Sequence, residues 1–349
     1  MLEEWVMWFE EFGMENVAAV GSKNANLGQM LRRGIPVPLG FAVTTAMYDE
    51  FMARSGAEQE IEKYLCRFPQ GPKSLTDCRE ISHFVEDVIL TKRLPEQMQD
   101  TLESAYNELS QECHTPNVPV AVRSSSVVED LPTASFAGQY ESYLNVRGKD
   151  ALFDKVMRCW ASLFTARSIL YRMTNRLPVS GTSMSVGIQR MVAASAAGVG
   201  FTVHPGSGDD TKILLEGNWG LGESVVQGIV IPDRFIINKK TSILEKKEIS
   251  QKIKQVVFGR NGTEEQYVPE DKQRLPCLND EEVLKIADFA KTAESVFGVP
   301  LDIEWALDQA FPFPQNIFLL QARPITKVRK KKDAIDKILD MMLDGGGIN

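Results

Sequence analysis

The chain has 349 residues, 43% hydrophobic and 25% charged, an ordinary globular composition with enough length for two or three packed lobes. Its net charge of -8 argues against nucleic acid as the main partner, since phosphate neutralisation needs a basic field, but leaves room for local basic pockets. Five cysteines show no CxxC pair or metal-ligand spacing, the acidic start MLEEWVMWFEEF has no signal-peptide character, and the longest apolar stretch, Met191 to Val203, is too short to cross a bilayer, so a cytoplasmic protein with no membrane partner is expected.

In chain order, Leu27, Met30 and Leu31 recur at helical spacing, with Ser22 placed as N-cap and Gly34 as the stop. Two prolines keep Ile35 to Val43 extended ahead of a helix over Thr45 to Arg54, and residues 56 to 117 read as polar helices and loops. Val118 to Val122 is a short strand ending at Arg123 and three serines, Tyr140 to Val146 alternates like a second strand, and Asp154 to Met173 reads as one amphipathic helix. Beyond Pro178 the texture turns to strands and glycine turns. Strands are expected at Ser185–Val192, Gly198–Val203, Ile213–Glu216, Arg234–Asn238, Asp302–Leu307 and Ile317–Gln321, with a helix over Asp280–Phe297. The expected division is an N-terminal lobe over 1–180, a C-terminal lobe over 181–327, and a basic linker or docking tail over 328–349.

Four fragments carry chemistry. In AVGSKNANLG, Lys23 falls in the first turn of a helix, where free backbone N–H groups and the helix dipole favour an anion. The other reading of Lys23 is a solvated lysine beside a glycine turn. In AVRSSSVVEDLPTASFAGQYESYL, Arg123 stands at a strand end, three hydroxyls follow, and Gly138 lets backbone approach closely, which suits a polyphosphate loop or a serine-rich surface turn. GNWGLGESVVQG fits either a ligand-contacting turn or a structural one closed by Trp219. The hairpin DIEWAL and IFLLQARPIT is the most informative: period-two alternation puts Asp302 and Glu304 on one face, Gln321 and Arg323 on the facing one. A carboxylate and an amide oxygen are hard ligands suited to Mg²⁺ on nucleotide phosphates, and Arg323 would meet the transferring phosphoryl group; the alternative is a surface salt bridge between Glu304 and Arg323. His83, His114 and His204 lie in no loop that would present a nucleophile, and only His204 is near these residues.

Together, GSKNANLGQM, GIPVPLGFAVT, AVRSSSVVEDLPTASFAGQYESYL, SLFTARSILYR, GIQRMV, GVGFTVHP, NWGLGESVVQG, PDRF, DIEWA and LLQARPIT resemble, in order, the nucleotide-binding region shared by phosphoenolpyruvate synthase, pyruvate phosphate dikinase, rifampin phosphotransferase and phenylphosphate synthase, from about Val20 to Thr326. The resemblance implies an α+β, ATP-grasp-like, two-lobed fold that clamps Mg-ATP. By motif it implies Lys23 and Arg123 on phosphates, Gly138 and Ser142 along the phosphate loop, Gln189 near the nucleotide, Glu304 and Gln321 holding Mg²⁺, and Arg323 beside the phosphates. Ser142 stands where relatives often have threonine, and the loop from Asp308 to Asn316 is longer than usual, which would alter lid contact.

The resemblance further implies an ATP-dependent phosphotransferase of the dikinase type, in which the β-phosphoryl of ATP moves to a histidine and AMP and Pi are released. No phosphohistidine segment or acceptor barrel follows QARPIT, so a separate histidine-carrying subunit or domain is the expected partner, unless the chain is a fragment. Phenylphosphate synthase, whose ATP-binding region is a subunit of its own, is the leading expectation and phenol the expected acceptor. A phosphoenolpyruvate synthase or rifampin-type enzyme is the alternative, and a non-catalytic ATP-sensing subunit a third.

Overall fold

The computed structural model describes residues 4–126, 130–131, 134–135, 141–174, 178–179 and 181–325. Gly138 and the 328–349 tail, singled out above, lie outside the described residues. In chain order the elements are β1 (Val6–Trp8), α1 (Val17–Arg32), β2 (Gly40–Val43), α2 (Thr45–Arg54), α3 (Ala57–Leu65), α4 (Leu75–Thr91), α5 (Glu96–Glu112), β3 (Val120–Ser126), β4 (Asp130–Leu131), β5 (Ala134–Ser135), β6 (Ser142–Val146), α6 (Lys149–Ala161) and α7 (Ala166–Thr174). There follow β7 (Met184–Arg190), β8 (Ala194–Phe201), β9 (Lys212–Trp219), α8 (Glu223–Val226), β10 (Asp233–Asn238), β11 (Ile243–Glu248), β12 (Lys254–Phe258), β13 (Thr263–Tyr267), α9 (Asp280–Phe297), β14 (Leu301–Asp308) and β15 (Ile317–Pro324).

Helix and sheet are mixed, and two antiparallel sheets dominate: a five-stranded one in the order β1-β2-β7-β3-β6 and a six-stranded one in the order β11-β10-β9-β8-β14-β15. Helices α2 to α7 bury their apolar faces on the first sheet around Phe51, Trp160 and Ile188. Helix α9 covers the second, with Ile286 and Ala290 packed in one cluster with Trp305 and Leu319.

Helix α1 joins the two. Asn24 takes its N–H to Ser125 Oγ of β3 at 3.2 Å and donates Nδ2 to Ser185 Oγ of β7 at 3.1 Å. Two residues on, Asn26 Nδ2 donates to the Ala322 carbonyl of β15 at 2.9 Å. A helix stitched to both sheets places Lys23 between them. It ends as expected, with bonds from Gly34 N to Leu31 O (2.9 Å) and Ile35 N to Met30 O (3.1 Å) closing the last turn. Its start differs: the helix begins at Val17 and is interrupted at Gly21 (φ 72°, ψ 166°), so Ser22 follows a break inside it. A Cβ on Gly21 would stand 2.1 Å from the Ser125 carbonyl oxygen, so only glycine allows this approach.

Three further expectations are corrected. The serines after Arg123 continue strand β3 and are all fully buried, with the Ser124 hydroxyl donating to Glu141 O, the Ser125 hydroxyl accepting from Asn24 N and the Ser126 carbonyl accepting from Ser22 Oγ, so they form strand rather than an exposed phosphate-wrapping loop. The single helix over Asp154–Met173 is two helices with a 3-10 turn at Ser162–Phe164 between them. The strand expected to open the second lobe, Ser185–Val192, is β7 and lies between β2 and β3. Sheet membership therefore changes across residues 191–193, because pairing partners, not chain order, decide which sheet a strand joins.

Candidate functional site

Between the two sheets lies a cavity of about 520 Å³, and seven of the eight residues to which the resemblance gives site roles line it: Lys23, Arg123, Ser142, Gln189, Glu304, Gln321 and Arg323. The hairpin β14–β15 supplies three of them. Its register sets Glu304 opposite Gln321 and Asp302 opposite Arg323, bringing together the two sets that alternation had put on one face of each strand, until an irregularity after Glu304 leaves Leu320 unpaired in β15. This extra residue lets Leu320 and Gln321, neighbours in sequence, both border the cavity.

Arg123 reaches across from the first sheet. Its Nη1 donates to Glu304 Oε2 at 3.2 Å and to Gln321 Oε1 at 3.4 Å. Arg323 instead grips Asp302, with Nε and Nη2 donating to the same carboxylate oxygen at 2.9 and 2.7 Å. The Glu304–Arg323 salt bridge weighed above is thus replaced by two pairs, each joining the carboxylate to a different arginine. Burial pushes the Asp302 carboxyl above its ordinary range, Arg323 pulls it back, and Glu304 nearby adds to the upward push.

The lining changes character along the strands. A step of two residues replaces Arg123 by Ala121 on β3 and Glu304 by Ala306 on β14, and the chain leaving β7 adds Met191 and Val192. One part of the cavity therefore carries Lys23, Arg123, Arg323 and the hard oxygens of Glu304 and Gln321, while the part toward the 191–193 crossover is mainly apolar apart from Arg190. Such a site fits a ligand with an anionic tail and a flat, weakly polar head.

Several lining groups lack partners. Among the described residues, Arg123 Nε, Gln189 Nε2 and Glu223 Oε2 are buried without a hydrogen bond, a costly condition that a polar ligand would relieve. No set of three His, Cys, Asp or Glu side chains among the described residues is placed to hold a metal ion. Glu304 and Gln321 fit Mg²⁺ only as two oxygen ligands completed by others, which is how this cation is held on nucleotide phosphates.

Sequence reading missed Arg190 and left Glu223 undecided, and both line the cavity. Around GNWGLGESVVQG the structural turn is seen, and part of the segment also lines the cavity. Gly220 (φ 72°) lets the chain pass where a Cβ would stand 2.3 Å from the Val256 carbonyl oxygen, and Trp219 Nε1 donates to Lys272 O at 3.2 Å. Gly222, Glu223, Val226 and Gln227 meanwhile form a wall of the cavity. Arg190 donates to the fully buried Asp308 at 2.8 Å and lies 5.2 Å from the Phe318 ring and 5.8 Å from that of Phe311, tying the 308–316 loop to the crossover. No signal in the sequence marked Arg190, because the expected strand ran on to Val192 and alternation would turn Arg190 away from Gln189's face. His204 sits in the turn after β8, where its Nδ1 accepts from Ser207 N at 3.2 Å.

No helix among the described residues is long and apolar enough to cross a membrane. The sequence matches the family described as pyruvate phosphate dikinase, AMP/ATP-binding domain, over residues 17–342. Similar proteins include a probable phosphoenolpyruvate synthase of Staphylothermus marinus, 38% identical over 96% of this chain and 43% of its own length. A probable phosphoenolpyruvate synthase of Methanothermobacter thermautotrophicus is 38% identical over 99% of this chain and 49% of its own, and the phosphoenolpyruvate synthase of Pyrococcus furiosus 35% over 96% and 45%. The chain thus spans less than half the length of these relatives. Their names favour the phosphoenolpyruvate synthase alternative over the phenylphosphate synthase expectation. With a match over nearly its whole length and a cavity lined by the motifs that suggested it, the chain belongs to the pyruvate phosphate dikinase AMP/ATP-binding domain family.

Proposed function

We propose that this chain binds Mg-ATP in an ATP-grasp-like clamp between its two sheets and transfers the β-phosphoryl group to a histidine on another domain or subunit, in the manner of a phosphoenolpyruvate synthase. The observation that carries the reading is the convergence of Lys23, Arg123 and Arg323 with Glu304 and Gln321 in one cavity that also has an apolar stretch at Ala121, Met191, Val192, Ala306 and Leu320.

Each group has a role its chemistry permits. The purine lies in the apolar part, beside Met191, Val192 and Leu320, with Gln189 and Glu223 offering polar contacts. Lys23 contributes a point charge beside the break in α1, and Arg123 a forked donor. Glu304 and Gln321 hold the magnesium ion, which when bound draws charge from the phosphate oxygens. Arg323, held in place by Asp302, faces the negative charge that grows as the phosphoryl group moves, and donors fixed before the reaction stabilise that charge without reorganising. A bond forms between the histidine nitrogen and the β-phosphorus as the bond to the bridging oxygen of the α-phosphate breaks, which leaves AMP. Water then removes the γ-phosphate as Pi.

The test is labelling. The chain, Mg²⁺ and β-labelled ATP are mixed with a phosphohistidine domain from one of the named relatives, with γ-labelled ATP as control. Acid-labile label from the β position on that domain, with AMP released, is expected. Chasing the labelled domain against pyruvate and phenol separates the phosphoenolpyruvate reading from the phenylphosphate one. ATP binding with no transfer to any histidine would leave the ATP-sensing reading instead.

A further inference from the structure

Glu304 Oε2 and Gln321 Oε1 both lie within hydrogen-bond reach of one atom, Arg123 Nη1, at 3.2 and 3.4 Å. Two oxygens that share one donor converge on one point. A magnesium ion would need the same two oxygens at about 2.1 Å, and its double charge repels a guanidinium that cannot shed its proton. The two cations cannot occupy that point together.

We propose that Arg123 and the divalent cation exchange at this point, so that Arg123 keeps the cation out until nucleotide phosphates draw the guanidinium away. The proposal rests on the ATP-binding reading above. Arg123 is poorly satisfied where it stands: one nitrogen serves two acceptors, and Nε is buried with no partner among the described residues. Polyphosphate oxygens offer acceptors for Nε and both Nη groups, so the move toward them gains bonds. It also releases Glu304 and Gln321 to the cation that the same phosphates ligate. Arg323 has no such incentive, because two of its N–H groups already hold Asp302. Nucleotide and cation therefore enter as a pair, and Glu304, part-buried in the cavity, is balanced by a positive charge before and after.

The experiment reads cation binding directly. Mn²⁺ is titrated into the chain without nucleotide, following the electron paramagnetic resonance signal of the free ion, for wild type, Arg123→Met and Arg123→Lys. Arg123→Met is expected to bind Mn²⁺ at least about tenfold more tightly than wild type, Arg123→Lys to stay near wild type, and Glu304→Gln added to Arg123→Met to abolish the gain. A non-hydrolysable ATP analogue is expected to raise the Mn²⁺ affinity of wild type. Equal Mn²⁺ affinity in wild type and Arg123→Met, both folded by circular dichroism, would overturn the exchange while leaving the ATP reading intact provided the analogue binds. No analogue binding to wild type with Mn²⁺ present would remove the ATP reading and this proposal with it.

Discussion

Two charged clusters in this chain look alike on paper and differ in how completely they are satisfied. Lys252 and Asp233 form an ion pair at 2.7 Å with neither side chain exposed at all. Asp233 also accepts from the N–H groups of Ser250 and Cys277, both at 2.9 Å, and Lys252 donates a second bond to Ser250 O at 3.0 Å. Both oxygens of the carboxylate are spoken for. In the cavity, Arg123 meets Glu304 and Gln321 at longer distances, keeps an unpaired buried Nε, and borders open space. The first cluster ties the 250–277 segment to β10; the second is built to be completed by something that arrives. A fully bonded buried charge pair serves the fold, whereas a half-bonded one beside a cavity serves a ligand.

Substitutions should separate the two. The largest effect is expected from Asp233→Ala, which strands Lys252 in the core: about 3–5 kcal/mol of folding stability lost in a denaturant titration. Whatever remains folded should keep the proposed transfer activity. Glu304→Ala should do the opposite, raising the transfer barrier by about 3 kcal/mol in a single-turnover assay while leaving the denaturation midpoint nearly unmoved. Loss of stability without loss of transfer in Glu304→Ala would return that residue to the fold. Between the clusters stands Gly21, where alanine must take a left-handed φ and meet the Ser125 carbonyl. A cost of about 2 kcal/mol is expected, together with weaker nucleotide binding as Lys23 shifts, and calorimetry on the purified variant reads both.

The smallest effect concerns pH. Burial raises the Asp302 carboxyl in the folded chain, so the folded state holds its proton more tightly than the unfolded one. The contribution is fully present below the ordinary aspartate range and declines as pH rises through the raised value. Asp302→Asn should flatten that acid-side slope in a stability–pH profile, and an unchanged slope would show that Arg323 offsets the burial entirely.

How much of this was legible beforehand differs by residue. That Asp302 and Glu304 share one face, and Gln321 and Arg323 another brought against it, followed from alternation; the pairing of Glu304 with Gln321 and of Asp302 with Arg323 is set by the hairpin's register. Helices Thr45–Arg54 and Asp280–Phe297 match their expected bounds, because capping and periodicity are local properties. Ser124 to Ser126 read as a loop in sequence because α1, about a hundred residues away, supplies the partners of the Ser125 hydroxyl and the Ser126 carbonyl, and nothing nearby announces it. Glu223 was left open for the same reason: the glycines around it serve the turn, and only the packed sheets show that its carboxylate faces the cavity.

By itself the sequence determined which residues alternate toward one face, where the helices over 45–54 and 280–297 begin and stop, and which family's motifs stand in order, because each depends on neighbours within a few positions. Tertiary structure alone decided that β7 completes the first sheet, that Arg123 rather than Arg323 faces Glu304, and that Arg190 closes on Asp308. Those choices pair groups far apart in sequence, and which partner wins is set by how two sheets pack around α1, a contest that no local spacing records.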